Sequence, residues 1–149
     1  MRTYDDTPLM IDDALLRAWL EDMLEPARVY RFWLFFLDDD NRVLRTMMPI
    51  DDYPSDPGGP CITEDLGIRT NADVFANRFA AFMEALGAAQ IVLVWERRGR
   101  SRVTTRDRRW PTALGRALRA EGVLVRAQFL LHSYGIRQLA PDDLPGLIA

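Results

Sequence analysis

The stretch VYRFWLFFLDDDNRVLRTMMPI, from Val29 to Ile50, decides the fold class. Val29–Leu37 is dense in aromatic and aliphatic residues, too short for an ordinary helix, and bounded by Pro26 and by Asp38–Asn41. Such a run reads as a strand buried on both faces or nearly so. Asp38–Asn41 is turn chemistry, because Asp and Asn side chains bond nearby backbone and tolerate left-handed conformations. Val43–Ile50 is then the antiparallel return strand. Pro49 has no N–H to give a ladder, which puts that strand at a sheet edge.

Upstream, Thr7 as N-cap and Pro8 at the first helical position open a helix. Ile11, Leu15, Ala18, Trp19 and Met23 recur in it at helical spacing, and Pro26 ends it. This amphipathic helix is expected to pack on the sheet or to dock against a second copy of the chain. Downstream, Asp51–Thr63 holds three prolines and two glycines and predicts an irregular loop. Asn71 then caps a helix with Val74, Phe75, Phe79, Phe82, Met83 and Leu86 on one face, closed by Gly87. Ile91–Trp95 is a short apolar strand. Thr104-x-x-Asp107 has the form of a capping box, heading a helix to about Glu121 in which Pro111 implies a late start or a kink. Gly122 stops that helix, Val123–Leu131 is a strand, Ile136–Leu139 a further short one, and the PDDLPG tail is irregular.

The order α-β-β-α-β-α-β-(β) predicts one α/β (α+β) domain. Its mixed central sheet opens with an antiparallel hairpin, carries helices on its faces, and gains parallel pairing from the later crossover. Residues 1–27 hold the N-terminal amphipathic helix, 28–139 the core and 140–149 the C-terminal tail. At 149 residues, with 48% hydrophobic and 28% charged residues, the chain is an ordinary globular domain. No apolar run approaches the roughly 20 residues of a membrane-spanning helix. MRTYDDTPLM does not read as a secretory leader. A cytoplasmic location is the expectation.

Much familiar chemistry is missing. Cys61 is the only cysteine and His132 the only histidine, so a disulfide, a thiolate metal site and a His-based catalytic zinc are not expected. Asp38–Asp40, Asp51, Asp52 and Asp107 would have to converge to hold Mg²⁺, and solvated turn residues are the plainer reading. No cofactor is expected, and no nucleophile–base pair can be assembled. His132 reads as a hydrogen-bonded structural residue and Gly58-Gly59 as a turn. No catalytic residue is assigned.

What remains is charge. WERRGRSRVTTRDRRW, Trp95–Trp110, packs seven arginines into thirteen residues in a protein of net charge −3 that has no lysine. The span from Glu96 to Arg109 carries +5, leaving −8 for the rest, concentrated at Asp5–Asp13, Asp38–Asp40 and Asp51–Asp65. The loop is predicted at the C-terminal end of a central strand beside a helix N-terminus, where α/β folds bind ligands and anions. Guanidinium groups grip carboxylate or phosphate bidentately. Arg97, Arg98, Arg100, Arg102, Arg106, Asp107, Arg108 and Trp110 are the candidate binding residues, with Arg109 beside them. The competing expectation is that these arginines pair with acidic loops of the same molecule, such as Asp51–Asp56. Trp95 and Trp110 either stack on a bound ring or pack in the core.

The hairpin ending LDDDNRVLRTMMPID, a helix, the VLVW strand, an open loop, a capped helix holding an Asp and a return strand resemble the RadC-type branch of the JAB/MPN domain over roughly Arg31–His132. The layering is also similar to that of cytidine deaminases. In the JAB family a zinc-binding His-x-His follows the third strand, with a Ser and a ligand Asp after it. Here Trp95-Glu96-Arg97-Arg98-Gly99 stands at that place without a histidine, Asp107 stands near the ligand Asp, and Ser101 matches the Ser only loosely. The resemblance therefore implies a metal-free, inactive relative. IDDYP, DRRW and HSYGIRQLAPDDL also resemble small uncharacterised proteins of actinobacteria. The function expected first is a non-catalytic interaction module for a protein partner, self-association included, and not for a membrane. Nucleic-acid or phosphoanion binding through Arg97–Arg109 comes second, and a Mg²⁺-dependent hydrolase is a distant third.

Overall fold

In the computed structural model, residues 8–148 are described. Strands β1 (Arg31–Leu37) and β2 (Val43–Asp51) form the expected hairpin, with Trp33 opposite Pro49 and Asn41 in the left-handed region of the turn. On its other side β1 pairs antiparallel with β5 (Gln90–Glu96). β5 pairs parallel with β6 (Leu124–His132), and β6 turns back antiparallel into β7 (Gly135–Gln138). The five-stranded order β2-β1-β5-β6-β7 is a mixed sheet with β2 at its edge, as Pro49 requires.

The period-2 pleat sorts each central strand onto two faces. Phe32, Leu34, Phe36, Ile91, Leu93 and Trp95 meet helices α2 (Asn71–Leu86) and α3 (Thr105–Ala120). Phe35, Leu37, Val92, Val94, Phe129 and Leu131 meet α1 (Asp13–Met23). The result is a single three-layer α/β/α domain, α1 being part of its core. No helix among the described residues is long and apolar enough to cross a membrane.

Several expectations need correction. Thr7 lies outside the described residues, and Pro8 is not the first helical residue. Its carbonyl accepts from Val43 N, and Leu9 bridges Arg42, so this stretch runs beside β2. Asp12 caps α1 instead, its side chain accepting from Leu15 N at 2.8 Å. The buried stripe of α1 is Leu16, Leu20 and the C-cap Leu24, with Trp19 packed against it, whereas Ile11, Leu15 and Met23 face solvent. The helix carries two apolar stripes, and periodicity alone favours the wrong one.

Part of the proline-rich loop is ordered as β3 (Pro60–Thr63), paired with β4 (Gly67–Thr70) in a separate two-stranded sheet. Thr63 Oγ1 accepts from Leu66 N and donates to Gly67 O, and Gly67 takes φ 71°, which closes the hairpin. The cap of α2 is Thr70 rather than Asn71, which is the first helical residue. The N–H groups of Asn71 and Ala72 donate to the carbonyls of Gly59 and Pro57, so the loop satisfies donors the helix cannot. Gly87 ends α2 in the left-handed region. α3 starts at its capping box despite Pro111, losing the backbone bond that the Asp107 carbonyl would otherwise receive. The tail is not irregular: a 3₁₀ turn at Pro141–Asp143 leads into α4 (Pro145–Ile148).

Phe32 sits at the centre of a ring cluster with Tyr53, Phe75, Phe79, Trp95 and Trp110. Phe32→Ala is expected to lower unfolding free energy by about 3–5 kcal/mol in urea titrations, with the denaturant slope unchanged.

Candidate functional site

The arginine loop leaves the C-terminal end of β5 and delivers the chain to α3, as the strand–helix order predicts. Its seven arginines do three different things. Arg97 is a structural pin. Its Nε and Nη2 bind Asp107 Oδ1 and Oδ2 at 2.9 and 2.8 Å, a bidentate fork, and the same guanidinium donates to the carbonyls of Arg100 (2.6 Å) and Arg102 (2.8 Å). Asp107 also accepts from Thr104 N at 2.9 Å, while Thr104 Oγ1 accepts from Asp107 N, completing the capping box. Burial pushes the Asp107 carboxyl up, but Arg97 and Thr104 outweigh it and hold the group below the ordinary carboxylate range.

The loop is stapled on its other side. Gly99 N donates to Ser133 Oγ at 2.9 Å, Ser133 N to Gly99 O at 3.0 Å, and Arg137 Nη1 to Ser101 O at 3.1 Å. Gly99 takes φ 122°, a conformation that strains any residue with a side chain, and a Cβ there would crowd Arg97 Nη1 at 3.0 Å. Val103 anchors the loop in the core.

Arg109 is the one arginine that pairs with the acidic loop as the competing expectation proposed, binding Asp56 at 2.9 Å. Both partners are exposed, so this contact adds little. Arg98, Arg100, Arg102, Arg106 and Arg108 are exposed, and among the described residues none of them has a carboxylate within salt-bridge reach. Arg98 donates to the Arg28 carbonyl, and Arg106 lies 5.2 Å over the Tyr30 ring, which stacks on Tyr53. Trp110 is only 3% exposed and donates to Pro54 O, and Trp95 is likewise buried and donates to Gln128 Oε1. Both indoles belong to the core. Of the two expectations for Trp95 and Trp110, packing in the core describes both.

Beneath the loop, Tyr30, Tyr53, Trp95, Arg106, Asp107 and Trp110 line a cavity of about 20 Å³. That is room for one water molecule. Burial, with the neighbouring Tyr30, pushes the Tyr53 phenol far up, so it stays protonated.

Little in the sequence sets Glu96 apart from the other charges, yet it is the buried acid of this end of the sheet, 2% exposed. Its Oε2 accepts from Arg28 N (2.7 Å) and Val29 N (3.3 Å), and its Oε1 from Arg31 Nε (2.7 Å) and Trp33 Nε1 (2.9 Å). Desolvation raises its carboxyl, but these donors prevail and lower it overall. Glu96 thereby ties residues 28–29, ahead of β1, to the root of the arginine loop. The only available signal was a charge ending an otherwise apolar strand.

The acidic residues weighed for Mg²⁺ do not converge. Among the described residues no group of three or more His, Cys, Asp or Glu comes together to hold a metal ion. Asp38 Oδ1 accepts from Asp40 N and Arg42 N, which is turn chemistry. Cys61 sits half-exposed in β3. His132 is buried, with Nδ1 accepting from Tyr134 N at 3.2 Å, and burial together with Arg97 and Arg137 lowers its basicity. Compared with protein-family models and with curated proteins, the chain matches none.

Two outcomes test this geometry. Arg97→Ala, which strands Asp107, is expected to cost about 3 kcal/mol in chemical denaturation, against under about 0.5 kcal/mol for Arg102→Ala. His132 titrates lower when folded than unfolded, so the unfolded chain binds more protons between the lowered value and about 6.5. Stability is therefore complete above that window and declines as pH falls through it. Urea midpoints from pH 7.5 to 5.5 should show this slope, and His132→Gln should flatten it.

Proposed function

We propose that the chain is a non-catalytic protein-interaction module whose arginine loop engages a carboxylate-rich protein surface. The observation that carries this reading is the division of labour among the arginines. Arg97 spends its donors on Asp107 and on loop carbonyls, making a rigid platform, while Arg98, Arg100, Arg102, Arg106 and Arg108 stand on it without carboxylate partners among the described residues. A preorganised row of guanidinium groups lowers the ordering cost of gripping an anionic surface.

The resemblance to a metal-free JAB-like body enters the proposal through Asp107. Both of its oxygens are committed to a guanidinium, so an Arg side chain stands where a ligand carboxylate would otherwise face a cation. The cavity below, about 20 Å³, takes no more than a water molecule, so on this reading the partner meets the exposed arginines and not the space beneath them. The reading places the protein in the cytoplasm, and it takes the partner to be a protein before a nucleic acid because the chain as a whole is acidic, with a pI near 5.2.

The test is retention on immobilised polyglutamate, DNA and RNA across a salt series. Binding to polyglutamate should weaken steadily with salt, and Arg98→Ala combined with Arg102→Ala should weaken it at least about tenfold at low salt while the fold is kept. Tighter binding to DNA or RNA, with a steep log–log salt slope, would instead favour the nucleic-acid reading. Turnover of any substrate by the purified chain would overturn both.

A further inference from the structure

The two ends of the central sheet are chemically opposite. β5 is seven residues long, which separates its ends by roughly 20 Å. At one end Arg31, Glu96 and Leu131 are in register and lead into the arginine loop. At the other, Leu37, Gln90 and Leu124 are in register, and the chain turns through Asp38–Asp40. The start of α1 lies at this second end, held there by Asp13, which accepts from Arg126 and from Gln138, and by Leu9, which bridges Arg42.

The second end exposes apolar side chains as well as acids. Leu9, Ile11 (65% exposed), Leu15 (45%) and Leu124 (60%) all face solvent there. Asp12, Asp39 and Asp40 are exposed among them, and this end stays net acidic with Arg42 and Arg126 included. Two copies of such an end repel each other. The opposite end offers the complement: Arg28, Arg98, Arg100, Arg102 and Arg106 are exposed there and outnumber the exposed Glu25, Asp51 and Asp52 at the same end, with the exposed apolar residues Val29 and Tyr30 beside them.

We infer that the partner is a second copy of this chain, docked head to tail, with the acidic apolar end of one copy on the arginine end of the next. This rests on the interaction-module reading and adds to it the partner and the second surface. Such an interface is heterologous, so it leaves one free end of each kind and grows beyond a dimer unless it closes into a ring.

Sedimentation velocity at about 50 mM and about 500 mM salt tests it, with circular dichroism as the folding control. The wild-type chain should assemble into concentration-dependent species larger than a dimer at low salt and fall to monomer at high salt. Ile11→Arg with Leu15→Arg disables one end, and Arg100→Glu with Arg102→Glu disables the other. Each double variant should be monomeric alone, and an equimolar mixture should form a 1:1 dimer that does not grow. If the helix variant loses its fold, Leu124→Arg replaces it. A wild-type monomer at low salt overturns the inference, as does a dimer that never grows and that both variants still form. A monomer that nevertheless binds polyglutamate sinks only the head-to-tail assembly, whereas one that does neither sinks the interaction reading with it.

Discussion

Asp107 begins the helix that follows the central strand, and both of its carboxylate oxygens are engaged before any ligand arrives. One fork of two hydrogen bonds from Arg97 does this, and the guanidinium has donors left for the carbonyls of the loop it belongs to. A nearly buried carboxylate without such a partner would be costly, and an arginine in the same place without an acceptor equally so. Their mutual satisfaction lets the chain leave β5, cross the end of the sheet and enter α3 in a defined path. It also separates Arg97 from its six neighbours in sequence. The pin makes the platform, and most of the others remain available.

Glu96 performs the corresponding task one residue earlier and on the other side of the sheet. Because the pleat alternates, Trp95 points into the aromatic core beneath α2 and α3, while Glu96 turns toward the segment entering β1. Successive residues thus secure the packing of the helices, the entry of the hairpin and the root of the loop. The polar groups of this region find partners, and among the described residues no buried side-chain nitrogen or oxygen lacks a hydrogen bond.

The hairpin, the capping box at Thr104 and Asp107, the stop at Gly87 and the edge position of Pro49 were legible because each rests on local chemistry. The face of α1 was not. Ile11, Leu15 and Met23 satisfy helical spacing as well as Leu16, Leu20 and Leu24 do, and only the sheet beneath decides between them. The β3–β4 hairpin is hidden by prolines and glycines that suggest an irregular loop, although Gly67 supplies its turn. At the candidate site, the position of the loop followed from the strand–helix order. The distinction between Arg97 and the other arginines did not, because it depends on distances between residues ten apart in sequence. The role of Glu96 is hidden for the same reason, since its four donors come from residues 63–68 positions away.

The proline at position 49 bears on how molecules of this kind can meet. It occupies the outermost strand, where an unbroken row of amides would invite a neighbouring chain to extend the sheet, and residues 8–10 already lie along the beginning of that strand. With that flank blunted, lateral growth into fibrillar β-structure is discouraged, and contacts through side chains at the sheet's poles become the less hazardous way for copies to gather.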